Sequence, residues 1–250
     1  MSSIINKIHR AILKKFSPGY HVVPDIYGRS SRKLIDIRSD EKFLTLSNLV
    51  IGHRKSYLYY DRLFTIYQAL NNILRQFADR ERLSIMEVGV FRGGGSYFIA
   101  SVVDGKSDQN PEIFSVDTFC GHSDQDILAN GLDGDHAPGS FTDTSYESVR
   151  EYLDDFPFVK VLKGRVQNVS NELPSYFHFI HLDVDIYEPT RYVLETYFPK
   201  MPLGGGIIVD DYGYRSCPGV QKAVDEFVNS RQDIVSYSFP TGQCLLVKVG

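Results

Sequence analysis

Two pairs of aspartates carry the clearest chemistry in this chain. "HLDVDIYEPT" (181–190) holds Asp183 and Asp185 where an apolar run gives way to a loop, and "GGGIIVDDYGY" (204–214) holds Asp210 and Asp211 after another. Like charges at neighbouring strand ends repel unless something positive lies between them. Adjacent strands lie about 5 Å apart, so two such ends are close enough to share one positive charge. Each pair also has a plainer role open to it: Asp183 and Asp185 as caps of a helix starting near Pro189, Asp210 and Asp211 as solvated loop acids. His178 and His181 alternate with Phe177 and Phe179, and His181 is either a hydrogen-bonded structural residue or a reserve general base.

"MEVGVFRGGGS" (86–96) sets Glu87, Gly89, Gly93, Gly94 and Gly95 across a strand-to-helix turn. Glycines there let backbone approach a ligand, and a helix start offers free amides. Phe91 stands where the dinucleotide fingerprint needs glycine, and no Gly-Lys-Ser/Thr follows to make a P-loop. Asp117, at the end of "FSVDTF", is a carboxylate able to accept both hydroxyls of a ribose, or else a loop acid or helix cap. Together they outline a nucleoside pocket, and Glu87 makes it a poor one for a phosphate-rich tail.

These residues need elements to position them. From residue 84 on, strand-like and helix-like segments alternate: "SIMEVGV", "EIFSVDTF", "FVKVLKGRV", "FHFIHLDVDIY" and "GGGIIVDDYG" as strands, with "SYFIASVV", "YESVREYLDDF", "PTRYVLETYF" and "VQKAVDEFVNSR" as helices. A closing pair, "DIVSYSFP" and "GQCLLVKVG", turns at Pro240-Thr241-Gly242 and adds one antiparallel strand. That alternation predicts an α/β, doubly wound, mostly parallel sheet, and every acidic motif falls at a strand's carboxyl end, where such sheets bind ligands. Ahead of it, "SYLYYDRLFTIYQALNNILRQFADRE" has the spacing of a long helix. Residues 1–16 form a basic amphipathic helix that packs on its own domain or a second subunit, or else lies on an anionic membrane surface.

In this order, "EVGVFRGGGS", "VDTFCG", "HLDVDIYEPT" and "GGGIIVDDYG" resemble the macrocin O-methyltransferase family, S-adenosylmethionine-dependent enzymes that methylate sugar hydroxyls of antibiotics and other glycosides. The likeness covers roughly residues 55–250. It implies a class I methyltransferase fold with a seven-stranded sheet over 56–250, an N-terminal helical extension over 1–55, and S-adenosylmethionine with Mg²⁺ beside it. By position, Asp183, Asp210 and Asp211 match the metal carboxylates, and Asp183 is also the first candidate for general base. Glu87, Gly89, Val90, Gly93 and Ser96 match positions near the methionine moiety, and Asp117 and Thr118 the ribose end. Gln167 and Asn168 match the approach to adenine, with Asn168 where an aspartate is more usual.

Acceptor recognition falls to the surroundings of the crevice. Tyr57, Tyr187, Tyr212 and Tyr214 are candidates to stack on a sugar, with core packing as their alternative role, and Asp185 is the second acid of its motif. The long segment "GHSDQDILANGLDGDHAPGSFTDTSY" is either a lid bringing Asp133, Asp135 and His136 to the acceptor or an exposed acidic loop.

Bulk properties agree with a soluble globular protein. Among 250 residues, 42% are hydrophobic and 23% charged, and the net charge of -4 offers no global basic field for nucleic acid. Cys120, Cys217 and Cys244 lack zinc or disulfide spacing, which fits a reducing cytoplasm, and neither a membrane-length apolar run nor a signal-peptide core is present. The expected partners are a small glycoside or glycan acceptor and a second copy of the chain. Three rival functions keep part of the pattern: a catechol-type phenolic O-methyltransferase, a nucleotide-sugar glycosyltransferase built on Asp183-Val184-Asp185, and a scaffold protein using the basic helix.

Overall fold

The computed structural model describes residues 40–104, 110–127, 131–134 and 136–250. The helix expected over residues 1–16, the loop following it and Asp135 lie outside the described residues. Ile37–Gly250 forms one compact unit, which starts well before the boundary expected at residue 56. Two helices open it. Helix α1 (Glu41–His53) is capped by Asp40, whose side chain accepts from the Phe43 amide at 2.9 Å. Helix α2 (Tyr60–Gln76) buries Leu63, Ile66, Tyr67, Leu70, Ile73 and Leu74, one face at helical spacing.

Seven strands follow: β1 (Arg82–Val88), β2 (Asn110–Asp117), β3 (Val159–Lys163), β4 (Phe179–Leu182), β5 (Gly206–Val209), β6 (Ile234–Ser238) and β7 (Cys244–Lys248). Their order is β3-β2-β1-β4-β5-β7-β6, parallel except for β7, which runs antiparallel to both β5 and β6. Between them lie α3 (Gly94–Asp104), α4 (Tyr146–Tyr152), α5 (Tyr187–Tyr197) and α6 (Pro218–Asn229). No described helix is long and apolar enough to cross a membrane.

Strand alternation divides the core into two layers. Leu83, Ile85, Ile113, Phe179 and Ile208 pack with α1, α2 and α3 through Phe43, Leu70 and Phe98. Met86, Val88, Ile180, Leu182 and Val209 face the other way, onto Val193 and Leu194 of α5 and Val220 and Val224 of α6. The chain leaves β3 and returns on the far side of β1 as β4. The order therefore reverses between β1 and β4, and a crevice opens over their carboxyl ends.

Candidate active site

The first sheet face turns polar at its carboxyl edge. Glu87, Ser115, His181 and Asp210 each stand two residues after an apolar member of the α1–α3 layer, so alternation puts them on that face. Glu87 and His181 are register partners, and His181 Nδ1 lies 2.9 Å from Glu87 Oε1. Ser96 of α3 donates to Glu87 Oε2 and lies 2.7 Å from Ser115 Oγ. His181 Nε2 is 3.6 Å from Asp210 Oδ1, which accepts from Gln243 Nε2 at 2.6 Å. All of these side chains are buried, and His181 Nε2 and Asp210 Oδ2 have no hydrogen-bond partner among the described residues. Gly95 lets α3 come this close, since a Cβ there would lie 2.0 Å from Glu87 Oε1.

A cation that sequence inspection did not single out completes the tier. Arg62, on the first turn of α2, contacts Asp210 directly and reaches Asp183 at 3.9 Å and Asp211 at 3.7 Å. Its guanidinium also lies 5.5 Å from the centre of the Tyr214 ring. Burial works against its charge, and Asp183 and Asp211 more than offset that, leaving its pKa raised. Arg62 therefore supplies part of the positive charge that the aspartates require. The position carried no signal beyond being a polar residue beside the buried Leu63.

Above this tier the strand ends turn out toward the crevice. Asp183 extends the ladder by one bond, its amide donating to Val88 O at 2.9 Å, and Asp210 does the same to Leu182 O at 2.8 Å. Gly89, at φ +89°, passes so near that a Cβ would fall 1.7 Å from Asp183 O. Asp117 accepts from the Phe91 amide at 2.8 Å and the Phe119 amide at 2.7 Å, which ties the glycine turn to the end of β2. Burial raises the Asp117 carboxyl, and those amides draw it back. Asp183, Asp185 and Asp211 gather at the crevice floor, where burial and mutual repulsion raise all three, Asp211 up to about 7. Ligand atoms of His181, Asp183 and Asp210 lie within 4.8 Å of one another, as do those of Asp185, Asp211 and Cys217, and those of His122, His136 and Asp185.

Many of the expected residues meet here. Glu87, Gly89, Val90, Asp117, Thr118 and Gln167 line the crevice, as do Asp183, Asp185 and Asp211. Tyr57 stands at its mouth, stacked on Phe91 at 5.3 Å. The remaining candidates are placed elsewhere. His181 and Ser96 are fully buried in the polar tier, so His181 positions Glu87 and Asp210 rather than facing an acceptor, and Ser96 holds Glu87. Asp210 lies in the same layer beneath the floor. Gly93, at φ +90°, makes the turn and packs against Tyr152. Asn168 points to solvent, its amide closing a turn on Arg165 O.

Two acceptor candidates also lie away from the crevice. Tyr187 donates to Glu226 at 2.7 Å and Tyr212 to Asp225 at 2.9 Å, both tied to α6. Asp183 and Asp185 do not cap α5: its Tyr187 amide donates instead to Asp133 Oδ1 at 2.8 Å. Asp133 is buried in that role, and Asp126 in the same segment pairs with Arg165, so this part of the long connection is packed structure rather than an acidic arm reaching for substrate. His136 meets His122 at 3.3 Å beside Asp185.

Sheet order, crevice and glycine turn define a class I methyltransferase fold. The O-methyltransferase NovP matches with a TM-score of 0.66 at 24% identity, over 78% of this chain and 83% of that one. The calicheamicin methyltransferase CalS11 matches with a TM-score of 0.57 at 20% identity, over 87% and 98%. Residues 59–236 match the macrocin O-methyltransferase (TylF) family, and the chain belongs to it. Among curated relatives, demethyldecarbamoylnovobiocin O-methyltransferase of Streptomyces niveus is 29% identical over 153 residues, 57% of each chain. A tetracenomycin rhamnosyl 4'-O-methyltransferase of Streptomyces olivaceus is 28% identical over 141 residues, 53% of this chain and 54% of that one. Mycinamicin III 3''-O-methyltransferase of Micromonospora griseorubida is 25% identical over 201 residues, 76% and 73%. The chain thus spans a little over half the length of the first two. The glycosyltransferase alternative, which left the glycine turn without a role, gives way to this family.

Proposed function

We propose that the chain transfers the methyl group of S-adenosylmethionine to a hydroxyl of a sugar or glycoside, with a divalent cation such as Mg²⁺ held by Asp183, Asp210 and Asp211. The observation that carries this is one crevice lined by the glycine turn, Asp117, Gln167, Asp183, Asp185 and Asp211, with Asp210 directly beneath its floor. Relatives named for methylating a rhamnosyl group and a mycinamicin support the acceptor class.

The residues present fit both groups. Gly89 gives the backbone approach that a nucleoside tail needs, and Asp117 lies where ribose hydroxyls would be bound. Gln167 Oε1 is buried without a hydrogen-bond partner among the described residues, an acceptor for an adenine amino group. For the cation, Asp211 Oδ2 is likewise buried and unpartnered, and an all-oxygen carboxylate set is what Mg²⁺ prefers. When bound, S-adenosylmethionine would supply an electrophilic methyl group for the acceptor oxygen, with the neutral thioether as the leaving group. A bound divalent cation lowers the pKa of a hydroxyl it ligates.

The chain's own residues do the rest. Asp183 lines the crevice and takes the hydroxyl proton on its carboxylate. The turn at Gly89 and the floor acids fix donor and acceptor relative to each other, which converts a two-body reaction into an oriented one. Tyr57, 59% exposed on its Phe91 support, offers a flat ring to the acceptor.

The test is methyl transfer to a panel of glycosides, with Mg²⁺ or with chelator. Asp183→Asn is expected to lose turnover by about 10²–10⁴-fold while still binding S-adenosylhomocysteine. Wild-type turnover by that variant would remove Asp183 from the chemistry. Methylation of phenols alone would move the acceptor to the catechol class.

A further inference from the structure

A second set of ligand-bearing side chains lies at the edge of the crevice and shares Asp185 with the acids of the floor. His122 and His136 come from the connection between β2 and α4, and Asp185 from the turn between β4 and α5. His122 Nε2 lies 3.3 Å from His136 Nδ1 and 3.8 Å from Asp185 Oδ2. Ligands held about 2.0–2.2 Å from a tetrahedral ion stand about 3.3–3.6 Å apart, which both His122 separations approach, and ligand atoms of all three residues lie within 4.8 Å of one another.

The surroundings orient the ligands. His136 Nε2 is 3.4 Å from Cys217 Sγ, which leaves Nδ1 as the nitrogen turned toward His122. Cys217 Sγ also lies 3.8 Å from Asp185 Oδ1, the carboxylate oxygen not turned to His122. A metal-binding imidazole depends on such an engagement of its second nitrogen, which sets both tautomer and ring orientation. The Phe141 ring packs against both imidazoles, edge-on to His122 at 5.4 Å and stacked with His136 at 6.2 Å.

We propose that His122, His136 and Asp185 form a second metal site, for a transition ion of the Zn²⁺ type, that fastens the β2–α4 connection to the turn after β4. Two imidazoles and one carboxylate make a softer donor set than carboxylates alone and select zinc, iron(II) or cobalt over Mg²⁺. Three protein ligands leave a position open, and His122 and Asp185 both line the crevice, so that position faces the acceptor side. The site goes beyond the methyl-transfer proposal and does not require it.

Co²⁺ is the probe, because its visible bands report tetrahedral nitrogen and oxygen ligation directly. The 250-residue chain stripped with chelator is titrated with Co²⁺, and S-adenosylhomocysteine binding is measured on the same sample by calorimetry, as a separate readout of the cofactor crevice. One equivalent of Co²⁺ should develop the bands. His122→Ala and His136→Ala should each weaken binding about tenfold or more, and Asp183→Asn should leave it unchanged. Thermal melts confirm folding, and His122→Asn with His136→Asn serves if the alanine variants do not fold. Absence of the bands, their persistence in the double histidine variant, or their loss in Asp183→Asn would overturn the site, the last by placing the ion among the floor acids.

Discussion

Arg62 changes how the aspartates are understood. Residue types and spacing called for a positive charge between two acidic strand ends, and the fold provides one from helix α2. Breaking a buried pair on one side leaves the other charge uncompensated, at a cost of about 3–5 kcal/mol. Arg62→Met should accordingly melt well below wild type in chelator, and millimolar Mg²⁺ should recover more of the loss than it adds to the wild-type protein. Thermal melts in both conditions check this; equal Mg²⁺ responses would show that Arg62 and the cation do not share the same acids. The four aspartates and their partnership were legible because acidic residues at apolar run ends are conspicuous. Arg62 was not, since its partners are more than a hundred residues away in the chain and only the packing of α2 on the sheet brings them together.

Elements set these positions, and two of them can be tested as elements. The β1 turn needs glycine at 89: a Cβ would overlap the Asp183 carbonyl, and φ is +89°. Gly89→Ala should destabilise the protein by about 2–4 kcal/mol and weaken S-adenosylhomocysteine binding, read by denaturant unfolding and calorimetry. At the opposite end of the sheet, His178 Nδ1 accepts from the Ser84 amide at 3.1 Å, linking the entries of β1 and β4. Burial lowers its pKa, so the folded protein holds it neutral while the unfolded chain takes up a proton first as pH falls through about 6.5. Stability from this group is present above that pH and is lost on acidification toward the folded value. His178→Asn keeps an acceptor that does not titrate, and its unfolding free energy should fall less steeply below about pH 6.5 than that of wild type, by up to about 1.4 kcal/mol per pH unit. Strands and helices after residue 84 were legible from alternating periodicity. Helix α1 was overlooked although its signal was there, in the Asp40 cap and the buried Phe43, Ser47 and Val50 at helical spacing.

At the scale of the molecule, one topological reversal organises everything. Strand order turns back between β1 and β4, which brings the glycine turn and the first acidic pair to the same edge, and β5 adds the second pair beside them. That convergence could be anticipated from alternation alone, because each motif ended a strand. Which side chains face the crevice and which lie beneath it could not, since His181, Asp183 and Asp210 share one sheet face by alternation and Ser96 reaches the same tier from α3, so only the packing separates them. The long connection after β2 was likewise ambiguous until Asp133 was seen to bond the first amide of α5. The most direct test of the crevice as a cofactor site is calorimetric titration of S-adenosylhomocysteine into wild type and Gln167→Leu. One site per chain is expected, weakened about 5- to 30-fold by loss of the Gln167 acceptor. No binding, or equal binding by both proteins, would contradict the placement of the cofactor over β1 and β4.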